Sequence, residues 1–233
     1  TDPDNDTLSL ISTSGIYTLE DCRAQFIRVD SGAGFARARL QWTPCHEAVR
    51  NQPYDVLIKS DDNSGELKLS DIDNMRIKVL GPSPVLLNAS PEGKFIRLTW
   101  NDYGTPFISG FSIYRKEGSS SLEADSCTSG LPSSSGFVKV GYVSGSSSVA
   151  FLDTDNGQGL QFSKEYSYRI VAVYPNGTES KSSNEITAAL VSGVPVITNV
   201  SVRTTSTTNG SIVLRWLRPE RLDTIPAAGP YEY

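Results

Sequence analysis

An all-β fold of packed antiparallel sheets is what this sequence predicts, and three observations carry the prediction. The first is alternation. In Phe95-Ile-Arg-Leu-Thr-Trp100 the apolar Ile96, Leu98 and Trp100 fall on one face of an extended chain, and Tyr54-Asp-Val56-Leu-Ile58-Lys59 sets Val56 and Ile58 against outward Asp55 and Lys59. The second is recurrence, since the spacing Ile-x-Leu-x-Trp returns at Ile212, Leu214 and Trp216, which marks a repeated unit. The third is composition: Ser, Thr, Val and Tyr are abundant and tilt the chain toward strands.

Each element has its own justification along the chain. Cys22 and Cys45 flank the strands of the opening region, and Trp42 belongs to its core. After the strand Tyr54 to Lys59, the run Ser60-Asp61-Asp62-Asn63-Ser64-Gly65 supplies turn chemistry, because Asx side chains bond local backbone and Gly65 takes positive φ freely. Met75, Ile77 and Val79 then alternate with Arg76 and Lys78, the partner strand of a half-buried antiparallel pair. Gly81-Pro82-Ser83-Pro84 breaks that strand and stiffens the join to the next region. Beyond it come the tryptophan strand, a tyrosine strand Gly110-Phe-Ser-Ile-Tyr114-Arg-Lys, and a segment from Gly159-Leu160 through Tyr166, Tyr168 and Val173. A second break, Val191-Ser-Gly-Val-Pro195, introduces Val196 to Val202 and Gly210 to Trp216. A chain of 233 residues has room for about two domains of roughly 100–150 residues each.

In order and spacing, the tryptophan strand, tyrosine strand and Tyr166 corner resemble a fibronectin type III domain over residues 82–192, and residues 193–233 resemble the start of a second. The opening Asp2-Pro-Asp4-Asn-Asp6-Thr-Leu8 and the hairpin of residues 54–79 are similar to a cadherin-like, dystroglycan-type immunoglobulin-like domain over residues 1–81. The resemblance implies tandem Ig-like and fibronectin type III β-sandwiches of which the first and last are truncated. The module pattern, with Ile170 to Ser180, is also similar to long multidomain proteins of gliding bacteria that carry a C-terminal sorting domain, which here would lie beyond Tyr233.

Charge and composition exclude several classes. A net charge of −5 and a sequence pI near 5.0 give no electrostatic reason to expect nucleic acid or an anionic membrane surface. No stretch approaches the roughly 20 apolar residues that span a bilayer, because Ser192, Gly193 and Pro195 interrupt the longest run. Catalysis has no constellation to rest on. The single histidine, His46, beside Cys45 and Glu47, makes no tetrahedral metal site, and neither a Gly-x-Ser-x-Gly elbow nor a phosphate loop occurs.

Candidate sites are few. The cadherin-like resemblance implies calcium ligands at Asp2, Asp4, Asp6, Asp61 and Asp62, a hard-cation set of oxygens; solvated turns use the same residue types. No other cofactor is expected. The modular make-up implies an oxidising exterior, where Cys22 and Cys45 form a disulfide; two small buried thiols remain the alternative, and Cys127 lies in a Ser-rich loop. Asp153-Thr-Asp155-Asn156-Gly157 reads as a turn before Leu160, not as a cation loop, and Tyr166 as a structural corner. Tyr103 and Phe107, in the loop between the tryptophan and tyrosine strands, are candidates for stacking on a sugar or meeting a protein. The expected function is that of a non-catalytic, monomeric module of a larger secreted or cell-surface protein, a spacer and adhesive scaffold for protein or carbohydrate. The alternative is the accessory part of an extracellular carbohydrate-active hydrolase.

Overall fold

The computed structural model describes residues 5–62, 69–120, 122, 127–162, 164–190 and 196–217, and nearly all of its regular structure is β. The strands are β1 Leu8–Thr13, β2 Gln25–Gly32, β3 Phe35–Gln41, β4 Tyr54–Asp62, β5 Ser70–Ile77, β6 Leu86–Glu92, β7 Phe95–Trp100, β8 Gly110–Glu117, β9 Val138–Ser144, β10 Ala150–Asp153, β11 Glu165–Val173, β12 Ile186–Ala189, β13 Val196–Thr204 and β14 Ser211–Leu217. Three-residue 3₁₀ turns at Gly15–Tyr17, His46–Ala48 and Ser133–Ser135 are the helical pieces among the described residues.

The first unit sets a sheet ordered β1-β4-β5 against the hairpin β2-β3. In β4, Tyr54 and Val56 face inward and are buried, and their partners across the antiparallel ladder are Ile77 and Met75. Alternation therefore holds for β4. It weakens in β5, where Met75 is 40% exposed, because β5 is an edge strand with a single neighbour.

The second unit packs a sheet ordered β10-β7-β6 on one ordered β12-β11-β8-β9. Ile96, Leu98 and Trp100 of β7 are buried at 0–2% exposure against Phe111, Ile113, Tyr168 and Ile170 from the facing sheet. The period-2 pattern read from the sequence is thus the packed interface of a sandwich. The Tyr166 hydroxyl accepts a hydrogen bond from the Gln161 amide at 3.1 Å, beside Leu160, and ties the strand to the preceding loop.

The hairpin β13-β14 repeats β6-β7 residue for residue at its base. Leu86 pairs with Trp100, a bulge follows, then Asn88 faces Thr99, Ala89 faces Leu98 and Pro91 faces Ile96. Likewise Ile197 pairs with Trp216, a bulge follows, then Asn199 faces Arg215, Val200 faces Leu214 and Val202 faces Ile212. The offset is 111 residues on the first strand (197 − 86) and 116 on the second (216 − 100), so the second hairpin carries five more residues, one in a second bulge between Val202 and Thr204 and four at its tip. Its apolar face is partly exposed, with Ile212 at 61% and Trp216 at 42%.

Candidate functional site

The chemistry of the described residues gathers in three places, and the first is the joint between the two sandwiches. On one side, the turn His46–Ala48 follows Cys45, which is bridged to Cys22 with the Cα atoms 5.6 Å apart. Trp42 Nε1 donates to the Cys22 carbonyl at 2.7 Å and Tyr54 Oη to the Ala48 carbonyl at 3.1 Å, which holds this turn to the core of its own sandwich. On the other side stands the loop after β11. Asn176 Nδ2 donates to the Val49 carbonyl at 2.8 Å, and the His46 ring stacks on Tyr174 with its Nδ1 3.1 Å from Tyr174 Oη. Tyr174 Oη lies 3.3 Å from Tyr103 Oη, which donates to the Pro82 carbonyl at 2.7 Å.

These hydrogen bonds run in one direction. The Pro82 carbonyl only accepts, so the single Tyr103 proton goes to it; Tyr174 must then donate to Tyr103 and accept from His46 Nδ1–H. Burial raises the Tyr103 phenol well above the ordinary tyrosine value and also raises Tyr174. Gly81 completes the joint by close approach, since a Cβ there would sit 2.5 Å from Tyr174 Oη, and its carbonyl accepts from Lys181 N at 3.1 Å. A solvent-open groove of about 440 Å³ runs alongside, lined in part by Pro44, Cys45, His46 and Lys78.

The second place is inside the second sandwich. Asp153, 1% exposed, accepts from Arg115 Nη1 with both carboxylate oxygens, from Tyr168 Oη at 2.8 Å and from the Asp155 amide at 3.1 Å. Arg115 Nη2 reaches Asp155 at 2.6 Å. The residues Asp153 to Gly157 form the expected turn, with Asp155 and Asn156 in the left-handed region, and Arg115 takes the place a cation would need.

The third lies on the outer face of the four-stranded sheet. The loop between β8 and β9 returns over β11, where Arg169 donates to the carbonyls of Leu122 at 2.7 Å and Ser183 at 3.0 Å and pairs with Glu185 at 3.1 Å. Ser120 binds the same carboxylate through its amide and its hydroxyl. Burial alone would raise Glu185, but hydrogen bonds from Ser120, Ser167 and Arg169 outweigh it and hold the carboxyl below the ordinary glutamate range. A group lowered by folding contributes stability that is complete above its unfolded value, about 4.3, and is lost as pH falls through the lower folded value. Glu185→Gln is therefore expected to lower the thermal midpoint at neutral pH, with the gap to the parent closing in acid. A gap that persists in acid would show that the charge of Glu185 contributes nothing.

Of the residues singled out from the sequence, Cys22 and Cys45 are joined, and Cys127 is exposed in its loop. Asp2 and Asp4 lie outside the described residues. Asp61 faces the outer side of β4, held by Lys59 at 2.8 Å and by the Ser70 hydroxyl, whereas Asp62 lines an inner groove with Leu8 and Leu10, and Asp6 precedes β1. No cluster of three or more His, Cys, Asp or Glu with metal-holding geometry occurs among the described residues. Tyr103 is built into the joint, while Phe107 in the same loop is 48% exposed and the adjacent Ile108 fills the core. Sequence reasoning missed the joint and the Arg169 network. No local signal marks pairs such as Val49 with Asn176 or Leu122 with Arg169, which meet only through the fold.

No protein-family model and no curated protein matches the chain. Solved structures do. One is "Twitchin kinase region from C.elegans (Fn31-NL-kin-CRD-Ig26)", 14% identical, covering 48% of this chain and 17% of that one with a TM-score of 0.35. Another is the β-1,2-glucanase from Parabacteroides distasonis, also 14% identical, covering 82% and 29% with a TM-score of 0.32. The chain spans under a third of either, and likenesses this distant carry no weight as to function. No described helix is long and apolar enough to cross a membrane.

Proposed function

We propose that this chain is a non-catalytic, monomeric structural and adhesive module of a larger secreted or surface protein: an Ig-like sandwich followed by a fibronectin type III sandwich and the opening hairpin of another. The observation that carries this reading is the joint. The side chains of His46, Tyr103, Tyr174 and Asn176 and the Val49 carbonyl are spent on fixing one sandwich against the next, and the sandwich interiors are filled by packing. The repeated register of β6-β7 in β13-β14 supports a serial array, and the disulfide supports an oxidising exterior. Such an array acts by reach: it holds a distal function away from a surface while loops and strand edges offer contact sites for protein or carbohydrate.

Small-angle X-ray scattering tests it. An elongated particle, with two sandwiches end to end, is the expected result; a compact globule with the units side by side overturns it. Calcium is expected to leave the thermal midpoint where a chelator leaves it, because Asp61 is committed to Lys59 and Ser70 and points away from Asp62. Ligand that binds only the folded state must raise the midpoint, so a calcium-dependent rise abolished by Asp4→Asn would establish a cation site at the start of the chain.

A further inference from the structure

We propose that the Cys22–Cys45 disulfide sets the stiffness of the joint, so that the two sandwiches form one rigid body when it is oxidised and a hinged pair when it is reduced. The proposal rests on the spacer reading and specifies how its stiffness is controlled.

Three observations carry it. Cys45 immediately precedes His46 and stands four residues before Val49, the two positions through which the first sandwich grips the second. The segment between β3 and β4 pairs in no sheet, and the Cys45 side chain caps no amide of the His46–Ala48 turn. Beyond the burial of Ala48 and Val49, its position depends on the bridge and on the Tyr54 hydrogen bond to Ala48, while the Trp42 bond to the Cys22 carbonyl strengthens the same tether. Cys45 is only partly buried and lines the open groove beside the joint, whereas Cys22 belongs to the core, so Cys45 is the end of the bridge from which a reductant approaches.

The strand ladders of both sandwiches run elsewhere. Ile16, Val56 and the pairs of β1 with β4 and of β4 with β5 hold the first sandwich without passing through the bridge, and no bridge enters the second among its described residues. In the reaction, one thiolate of a dithiol attacks a sulfur of the bridge and forms a mixed disulfide; the second thiolate closes the reagent into its own cyclic disulfide and releases both cysteines as thiols. Two electrons and two protons pass from the dithiol to the protein. Freed from Cys22, the start of the turn keeps only the Tyr54 hydrogen bond and the burial of Ala48 and Val49 behind it, and the His46 contact with Tyr174 loses its nearest covalent anchor.

The test is amide nitrogen relaxation on the whole chain carrying Cys127→Ser, with and without dithiothreitol. Oxidised protein is expected to show one tumbling time shared by both sandwiches. Reduced protein is expected to show two, with dispersed signals retained throughout and shifts centred on His46, Tyr174 and Asn176. A double variant, Gly81→Ala with Asn176→Ala, is expected to give two tumbling times even when oxidised, because it breaks the joint from the other side. A single tumbling time after reduction overturns the proposal. So does collapse of signal dispersion in the first sandwich, which would make the bridge a staple of that fold. A compact scattering particle would overturn the spacer reading while leaving the relaxation result as it is.

Discussion

Replacing Asp153 by alanine is expected to destabilise the second sandwich by about 3–5 kcal/mol, the cost of leaving a buried partner charge without its counterion. Arg115 is the charge left behind. Its side chain is only 18% exposed; burial works against its charge, but hydrogen bonds to Asp155 and Asp153 outweigh that and raise it above the ordinary arginine value. Without Asp153 the guanidinium keeps only Asp155, and Tyr168 Oη, in a wholly buried side chain, loses its acceptor. A domain holds only about 5–15 kcal/mol in all, so the variant should sit near the edge of folding at ambient temperature. Urea unfolding followed by tryptophan fluorescence reads the change. Removing both charges, with Arg115→Met added to Asp153→Leu, should recover much of the loss, since an apolar pair of similar volume owes no desolvation. A loss below about 1 kcal/mol for Asp153→Ala would mean that water reaches the site and solvates Arg115 in its place.

Phe111→Ala is expected to cost about 3–5 kcal/mol, and Phe107→Ala less than about 0.5. The two rings are four residues apart, Phe107 in the loop before β8 and Phe111 in its second position. Phe111 is fully buried, with its ring 5.2 Å from Trp100 and 6.0 Å from Tyr103, so its removal leaves a void between the two sheets and slackens the ring that anchors the joint. Phe107 is half in water. Denaturant midpoints of the two variants give the comparison directly. Near-equal losses would show that the loop packs more tightly than its exposure indicates. A stable Phe107→Ala variant is also the probe for ligand contact at that position, because any lost binding would then be a matter of the surface alone.

What the sequence made legible was whatever depends on near neighbours along the chain. Ile96, Leu98 and Trp100 declared their face because strand geometry alternates side chains whatever lies opposite, and Tyr166 could be assigned as a corner because its partner at Gln161 is five residues away. The turn at Asp153 to Gly157 was readable from its place before Leu160 in the fibronectin-like register and from the acidic positions a cation loop would need and it lacks. Its electrostatic purpose was not, because Arg115 arrives from a strand much earlier in the chain. Tyr103 shows the same limit from the other side. An aromatic in a polar loop reads as an exposed binding residue, yet Pro82 and Tyr174 converge on its hydroxyl from distant points and take it into the joint. Arg169 stands at an outward strand position, and only the fold shows that a loop covers it.

The paired hairpins have a practical consequence. Their bases agree through the bulge and the tryptophan; of the five additional residues of the second, one makes a further bulge after Val202 and four lie in the tip between Thr204 and Ser211. The longer tip comes with that extra bulge, and the pairing from the tryptophan down to Ile96 and Ile212 is the same in both. The short tip is pinned, since the Leu160 amide donates to the Lys94 carbonyl at 2.8 Å, so the exposed longer tip between Thr204 and Ser211 is the place to splice a fluorophore-bearing peptide, an affinity tag or a foreign epitope.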